Sequence, residues 1–329
     1  MASPLAVDLG TTHTRISRQE HVLIQRFPSA VAVNSRTGEP LAIGKEALPM
    51  LGRTPADIRA CRPLQNSVVA DYDLAVMMLN TFFKQAQALG FLQRPTVVAS
   101  IPHGITEVER RALEDVIRDA GARSVRLLPH AIAAAYGAGL NIASPHGSMI
   151  VDIGGGTTKA AVLCYDGIVS ARTGRTAGDE FDHAIISHLR AAYGLIIGEQ
   201  SAHTIKCRIG TAHPAIDRGS LVVSGRSVQN GLATTAEISS ADVAEALRKP
   251  IARMIHLMRA TLEAAPPELS ADIATTGPVL CGEGAKLPGL SKVIANALGM
   301  RVTTATECGD CVIRGLQRAV DEKNKRPDL

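Results

Sequence analysis

Two stretches of this 329-residue chain carry the same run of chemistry-bearing residues, Val7-Asp8-Leu9-Gly10-Thr11-Thr12-His13-Thr14 and Val151-Asp152-Ile153-Gly154-Gly155-Gly156-Thr157-Thr158. Each reads as a short apolar strand ending in an aspartate, then a turn of glycine and threonine. Backbone N–H groups and hydroxyls in such a turn can face phosphate oxygens, and glycine lets the main chain come close to them. An aspartate at the strand end would stand beside the metal that accompanies phosphates, because Mg²⁺ takes carboxylates and waters rather than an all-protein cage. Asp8 and Asp152 are therefore the metal-proximal candidates, with Mg²⁺ held through water, and Asp152 is also a catalytic candidate. A strand and an ordinary hairpin turn would explain either copy alone. Two copies in one chain point to one nucleotide gripped between two related lobes.

The elements that must position these loops follow from size and pattern. The length exceeds that at which one core usually stops growing, so two domains are expected. Composition is globular, at 46% hydrophobic and 20% charged, and with 3% aromatics and no Trp the core must be built mainly from Ala, Val, Ile and Leu. A net charge of +4, spread along the chain, is too mild for the electrostatic footprint of a nucleic-acid binder. Six cysteines lack the spacing of a disulfide framework, and the lone Cys308-Gly-Asp-Cys311 reads as two buried thiols. No signal peptide or long apolar run is recognisable, so a cytoplasmic location is expected.

Residues 5–9, 22–33 and 41–43 pattern as strands, Leu74 to Leu89 as a helix and Thr96 to Ile101 as a buried strand. Thr106-Glu107-Val108-Glu109 is a capping box that starts a helix ending at Gly121. Past the second loop, Asp166-Gly167 predicts a hairpin turn, and Phe181, Ile185, Ile186, Leu189 and Tyr193 a helix with one apolar face. A long helix is expected after Ser239-Ser240, kinked or split at Pro250. Val279 to Gly284 reads as a strand entering a glycine turn, and Asp321 to Leu329 as a solvated tail.

With these elements in order, the chain resembles the actin and heat-shock chaperone ATPase superfamily, and within it the MreB family of bacterial actin homologues, over nearly its full length. The stretches that carry the likeness are Gly52-Arg53-Thr54-Pro55, Arg62-Pro63-Leu64 with Ala70-Asp71-Tyr72-Asp73, Ile105 to Ala112, Gly147-Ser148-Met149 leading into the second loop, and Pro266-Pro267-Glu268-Leu269 with Ala271-Asp272-Ile273. The resemblance implies an actin-like ATPase fold, two related α/β domains around a central nucleotide cleft. Domain I would span residues 1–142, completed by a C-terminal helix at 309–324, and domain II residues 143–308. ATP with Mg²⁺ would be the ligand, with Thr11, Thr12 and His13 as first phosphate loop and Gly154, Gly155, Gly156, Thr157 and Thr158 as second. Gly178, Asp179 and Glu180 would lie beside the nucleoside, Glu199, His203 and Lys206 near ribose and base, and Gly282, Glu283, Gly284 and Ala285 against the adenine.

Departures from the family pattern bear on activity. By resemblance, MreB proteins carry a Glu that orients the attacking water where this chain has His130. His13 replaces an Asn, His203 a Glu, and Glu283 interrupts a run of glycines. A carboxylate polarises water, whereas an imidazole that takes up a proton attracts phosphate oxygens, so weak or absent hydrolysis is expected. Phe91 and Leu92 fall where the family carries an apolar membrane loop. The implied function is a filament-forming protein that organises cell-wall synthesis and cell shape. It would assemble with itself, act with membrane proteins of cell-wall morphogenesis, and touch the membrane peripherally. A non-hydrolysing scaffold co-assembling with another MreB, and a small-molecule kinase of the same superfamily, are the alternatives.

Overall fold

A computed structural model describes residues 4–18, 21–86 and 94–325. The chain forms two compact units. The first comprises Met1–Pro145, Leu163–Ile168 and Asp310–Leu329, the second His146–Val162 and Val169–Gly309. Strands of the two large sheets are numbered here apart from the shorter ones.

In the first unit, β1 (Leu5–Leu9), β2 (His13–Arg18), β3 (His21–Pro28), β4 (Thr96–Ile101) and β5 (Ser124–Pro129) form a five-stranded sheet in the order β5-β4-β1-β2-β3. β1 pairs antiparallel with β2 and parallel with β4, and β4 pairs parallel with β5. The carboxyl ends of β1, β4 and β5 thus share one edge, where parallel sheets gather ligand-facing residues. β1 is buried along its whole length, as expected of a central strand covered on both faces.

Helix α1 (Tyr72–Gln85) brings Leu79, Phe82 and Phe83 into the same core as Leu5, Val7, Val97, Ala99 and Ile117. Phe82 stacks on Phe27 with centroids 4.7 Å apart. Helix α2 (Glu107–Asp119) starts at the expected capping box. Thr106 Oγ1 accepts from the Glu109 N–H at 3.2 Å, and Glu109 Oε2 accepts from the Thr106 N–H at 2.7 Å. Helix α3 (His130–Gly137) is short and rich in alanine, and packs on α9 (Cys311–Lys325). A Cβ at Gly315 would meet the Ala133 carbonyl oxygen at 1.8 Å, so the absence of side chains sets how closely these helices approach. Helix continues through Asp321–Lys325, where the charge pattern had suggested a tail. Charged side chains are good helix formers, and the helix is already nucleated by its buried start.

In the second unit, β6 (Ser148–Ile153), β7 (Thr158–Cys164), β8 (Gly167–Gly174), β9 (Val279–Cys281) and β10 (Thr303–Thr304) lie in the order β8-β7-β6-β9-β10. β6–β9 and β9–β10 are parallel. This is the strand plan of the first sheet, with the loop-bearing strand at the centre in both. The turn between β7 and β8 places Tyr165 and Asp166 at positive φ, 50° and 55°. The hairpin therefore turns one residue earlier than the Asp-Gly pair suggested.

Helices α4 (Gly178–Tyr193), α5 (Glu199–Ile209), α6 (Ser240–Glu263), α7 (Pro267–Thr276) and α8 (Leu290–Leu298) complete the unit. α6 starts at a second capping box, Ser239 with Asp242, and runs unbroken past Pro250. Leu247, Pro250, Ile251, Met254 and Met258 are all buried, so packing along the apolar face outweighs the hydrogen bond that proline removes.

Candidate functional site

The first half-site is built where β1, β4 and β5 end. Asp8, the penultimate residue of β1, is buried, and its Oδ1 accepts a hydrogen bond from Ser100 Oγ at 3.2 Å. Arg15 lies opposite Asp8 across the β1–β2 hairpin, with Nη1 3.5 Å from Oδ2. The same guanidinium reaches Asp310 through Nε at 3.3 Å, and Arg26 binds Asp310 from β3. In the turn, the Gly10 N–H donates to the His13 carbonyl at 3.2 Å, and a Cβ on Gly10 would stand 2.6 Å from that oxygen. Ser29 ties the turn down from behind: its N–H donates to the Thr12 carbonyl at 2.9 Å and its hydroxyl to the Gly10 carbonyl at 2.8 Å. Thr11 is nearly buried, and its hydroxyl accepts from the Ser67 N–H at 3.4 Å.

His130 opens α3 directly after β5 and is buried. Its Nδ1 is 3.4 Å from Ser100 Oγ. Ser100 has one proton, which goes to Asp8, so Nδ1 is the donor in this contact and the acceptor lone pair of the neutral ring sits on Nε2. His130, Ser100 and Asp8 thus form one relay at the edge of the parallel strands.

The second half-site repeats the first in its essentials. Asp152, near the end of β6, is buried, with Lys159 Nζ 3.8 Å from Oδ2 and Cys281 Sγ 3.7 Å from Oδ1. Lys159 follows Asp152 by the same seven residues that separate Arg15 from Asp8. The Gly154-Gly155-Gly156-Thr157 turn closes with the Gly154 N–H donating to the Thr157 carbonyl at 3.0 Å. The start of α4 holds it, since the Gly178 N–H donates to the Gly154 carbonyl at 3.1 Å and the Asp179 N–H to the Gly155 carbonyl at 2.8 Å. Thr158 donates its hydroxyl to the Thr176 carbonyl at 2.6 Å, and Thr157 is buried.

Around this turn, Glu180 pairs with Arg253, and Glu199 lies 3.6 Å from His183. Lys206 Nζ donates to the Gly178 carbonyl at 2.7 Å and to the Asp182 carboxylate at 2.9 Å, which fastens α5 to the start of α4. His203 Nδ1 is 3.4 Å from the same carboxylate. Gly282 follows β9 with φ of 84°, and a Cβ there would meet the Ile153 carbonyl oxygen at 2.3 Å and Asp152 Oδ1 at 2.5 Å. Glu283 is exposed, with its carboxylate 2.6 Å from Lys286, while Ala285 is buried.

Asp8, Thr11, Thr12, His13 and His130 therefore gather in the first unit, and Asp152, Gly154 to Thr158, Gly178 to Glu180, Glu199, His203, Lys206 and Gly282 to Ala285 lie in the second. Phe91 and Leu92 lie outside the described residues. The pattern of residues had not singled out Arg15, Lys159, Ser100, Asp182 or Asp310. Equal spacing from the two aspartates marked the first two, and a carboxylate on the apolar face of α4 marked Asp182.

Each carboxylate at a phosphate loop is buried against one cation, and among the described residues no cluster of three or more His, Cys, Asp or Glu side chains could cage a metal. Such a set suits Mg²⁺ that keeps its waters and takes phosphate oxygens, and Asp8 and Asp152 are the carboxylates that would bind those waters.

The duplicated sheet plan with a phosphate-type loop on each central strand defines a protein of the actin-like ATPase fold. The profile of the MreB/Mbl protein family matches residues 2–327, and the chain belongs to this family. It is 39% identical over 325 residues to the cell shape-determining protein MreB of Escherichia coli (strain K12), an alignment that covers 97% of this chain and 94% of that protein. It is 37% identical to the cell shape-determining protein Mbl of Bacillus subtilis (strain 168), covering 99% and 98% of the two chains. The crystal structure of MreB 5 of Spiroplasma citri bound to AMPPNP superposes with a TM-score of 0.92 at 33% identity, over 99% of this chain and 98% of that one.

Proposed function

We propose that this chain is an actin-like cell-shape protein that assembles with itself into filaments and binds Mg²⁺-ATP through both phosphate loops, with weak or absent hydrolysis. The observation that carries this reading is the matched pair of buried aspartates, each at a Gly/Thr loop on a central strand and each answered by a cation seven residues on. Family membership supports the cytoskeletal role, and the relative bound to AMPPNP supports a nucleotide ligand.

In this reading Thr11, Thr12, His13 and Gly155 to Thr157 present N–H groups and hydroxyls to phosphate oxygens, while the Gly154 N–H and the Thr158 hydroxyl, held by the Thr157 and Thr176 carbonyls, shape the second loop. Mg²⁺, when bound, neutralises phosphate charge. Asp8 and Asp152 would orient its waters while Arg15 and Lys159 hold their carboxylates in place. Gly178 to Glu180, Glu199, His203 and Lys206 frame the nucleoside, and Gly282 to Ala285 the base. His130 stands in for a water-orienting carboxylate but offers one acceptor nitrogen where a carboxylate offers two oxygens, which accounts for slow turnover. Nucleotide favours the lobe arrangement that assembles, by binding it more tightly than the alternative. Phe91 and Leu92 supply a peripheral membrane contact, and no described helix is long and apolar enough to cross a membrane.

Titration calorimetry of Mg²⁺-ATP into the purified chain, paired with sedimentation of polymer, tests the reading. A binding isotherm with nucleotide-dependent pelleting and little continuing heat is expected. Pelleting without any isotherm would favour the alternative of a nucleotide-independent scaffold, for which the His130 substitution is the specific indication. Replacing Phe91 and Leu92 by Ser should abolish co-sedimentation with liposomes, and unchanged co-sedimentation removes the membrane contact.

A further inference from the structure

Cys207, His203 and Asp182 form a relay that neither phosphate loop uses. His203 and Cys207 lie four residues apart on α5, so their side chains share one face of the helix. Cys207 Sγ is 3.6 Å from His203 Nε2, and His203 Nδ1 is 3.4 Å from Asp182 Oδ2. Asp182 is buried on α4 and further fixed by Lys206. Thiol and imidazole are both exposed, whereas Cys164, Cys281, Cys308 and Cys311 are buried and Cys61 is half-buried.

The order of the ring nitrogens decides the chemistry. The carboxylate accepts from Nδ1–H, so Nε2 is the nitrogen that faces sulfur and can take its proton. The Asp182 hydrogen bond, with the Cys207 contact adding to it, pushes His203 up to about 9. The hydrogen bond from His203 pulls the Cys207 thiol below its ordinary value against partial burial. Of the charges that reach the sulfur, His203 and Lys206 favour thiolate and Asp182 opposes it. An exposed thiolate beside an imidazolium is the reactive form of cysteine. By the family resemblance relatives carry Glu at position 203, and a carboxylate there would oppose the thiolate rather than support it.

We propose that Cys207 is a covalent modification site whose substrates are low-molecular-weight disulfides. Sγ attacks one sulfur of R–S–S–R, the new Sγ–S bond forms as the S–S bond breaks, and the other half leaves as RS⁻. The proton that Cys207 gave to His203 passes to that leaving thiolate, so the products are a mixed disulfide on α5 and one free thiol. Cys207 is oxidised and the incoming disulfide is reduced, with no further oxidant, and excess thiol reverses the step.

The test uses the full-length, nucleotide-free protein with oxidised glutathione, adducts being mapped by peptide mass spectrometry. Rates from pH 5 to 10 are followed with a chromogenic aromatic disulfide. Cys207 is expected to react first, with a rate midpoint below about 8.5, the value of an ordinary thiol. His203→Gln should raise that midpoint, slowing the reaction several-fold at pH 7 while leaving the rate at pH 10 unchanged. Cys207→Ser should lose the fast phase with an unaltered circular dichroism spectrum. Reaction first at Cys61, or a wild-type midpoint in the ordinary range that His203→Gln does not move, overturns the proposal. Both residues are exposed, so neither variant threatens the fold.

Discussion

Arg15 faces Asp8 across the β1–β2 hairpin with 3.5 Å between guanidinium and carboxylate, and both side chains are about nine-tenths buried. The same cation lies 3.3 Å from the buried Asp310, which Arg26 also binds, so its removal takes an ion pair from two buried carboxylates at once. Breaking a buried pair costs about 3–5 kcal/mol because the remaining charge loses its partner. Arg15→Ala is therefore expected to lower the unfolding free energy by about 3 kcal/mol, read by urea denaturation at pH 7. Lys159→Ala, which takes one ion pair from Asp152 at 3.8 Å, should cost less. Equal effects would mean that Asp310 is held by Arg26 alone.

The relay from His130 through Ser100 to Asp8 predicts the outcome of restoring a carboxylate. Proton transfer by a positioned side chain is worth about 10²–10⁴-fold in rate. His130→Glu should raise phosphate release by about a hundredfold, followed as inorganic phosphate at saturating Mg²⁺-ATP. Ser100→Ala, which removes the hydroxyl between His130 Nδ1 and Asp8, should change the residual activity by less than His130→Glu does. An unchanged rate in His130→Glu would remove position 130 from the water-orienting role.

Much of this architecture was legible in the sequence, for physical reasons. β1, the Thr96–Ile101 strand and the glycine turns after β1 and β6 announce themselves because a buried strand must be mostly apolar and a tight turn after it favours glycine. The Thr106–Glu109 capping box is a local motif, readable without tertiary knowledge. What escaped was non-local. Ser100 matters only because β4 pairs with β1, and Asp310 only because α9 begins beside β2 and β3. The expected split at Pro250 failed for the same reason, since burial of Leu247, Ile251 and Met254 holds α6 together through a residue that local rules treat as a breaker.

Gly282 permits the turn after β9 to lie against Asp152. Its φ of 84° disfavours any side chain, and an added Cβ would sit 2.3 Å from the Ile153 carbonyl. Gly231 has a φ of 74° with open space around it, and so isolates the backbone contribution. Gly231→Ala should cost about 1 kcal/mol and leave nucleotide affinity intact. Gly282→Ala should cost more and displace Asp152, weakening Mg²⁺-ATP in calorimetry. Intact affinity in a folded Gly282→Ala would separate this turn from the ligand.

His203 predicts a particular dependence of stability on pH. Folding raises its value from 6.5 to about 9, chiefly through the hydrogen bond to Asp182 and then that to Cys207, with Lys206 opposing. A group that binds its proton more tightly when folded contributes fully below its unfolded value and nothing above its folded one. The advantage of wild type over His203→Gln should thus be complete below about pH 6.5, decline as pH rises, and vanish above about pH 9. The imidazole is 63% exposed, so solvent screening keeps the effect small and added salt should shrink it further. Urea midpoints for both chains between pH 6 and pH 10 decide the matter. A difference that grows with pH would contradict the Asp182 pairing, because neutral imidazole would then be the form that folding favours.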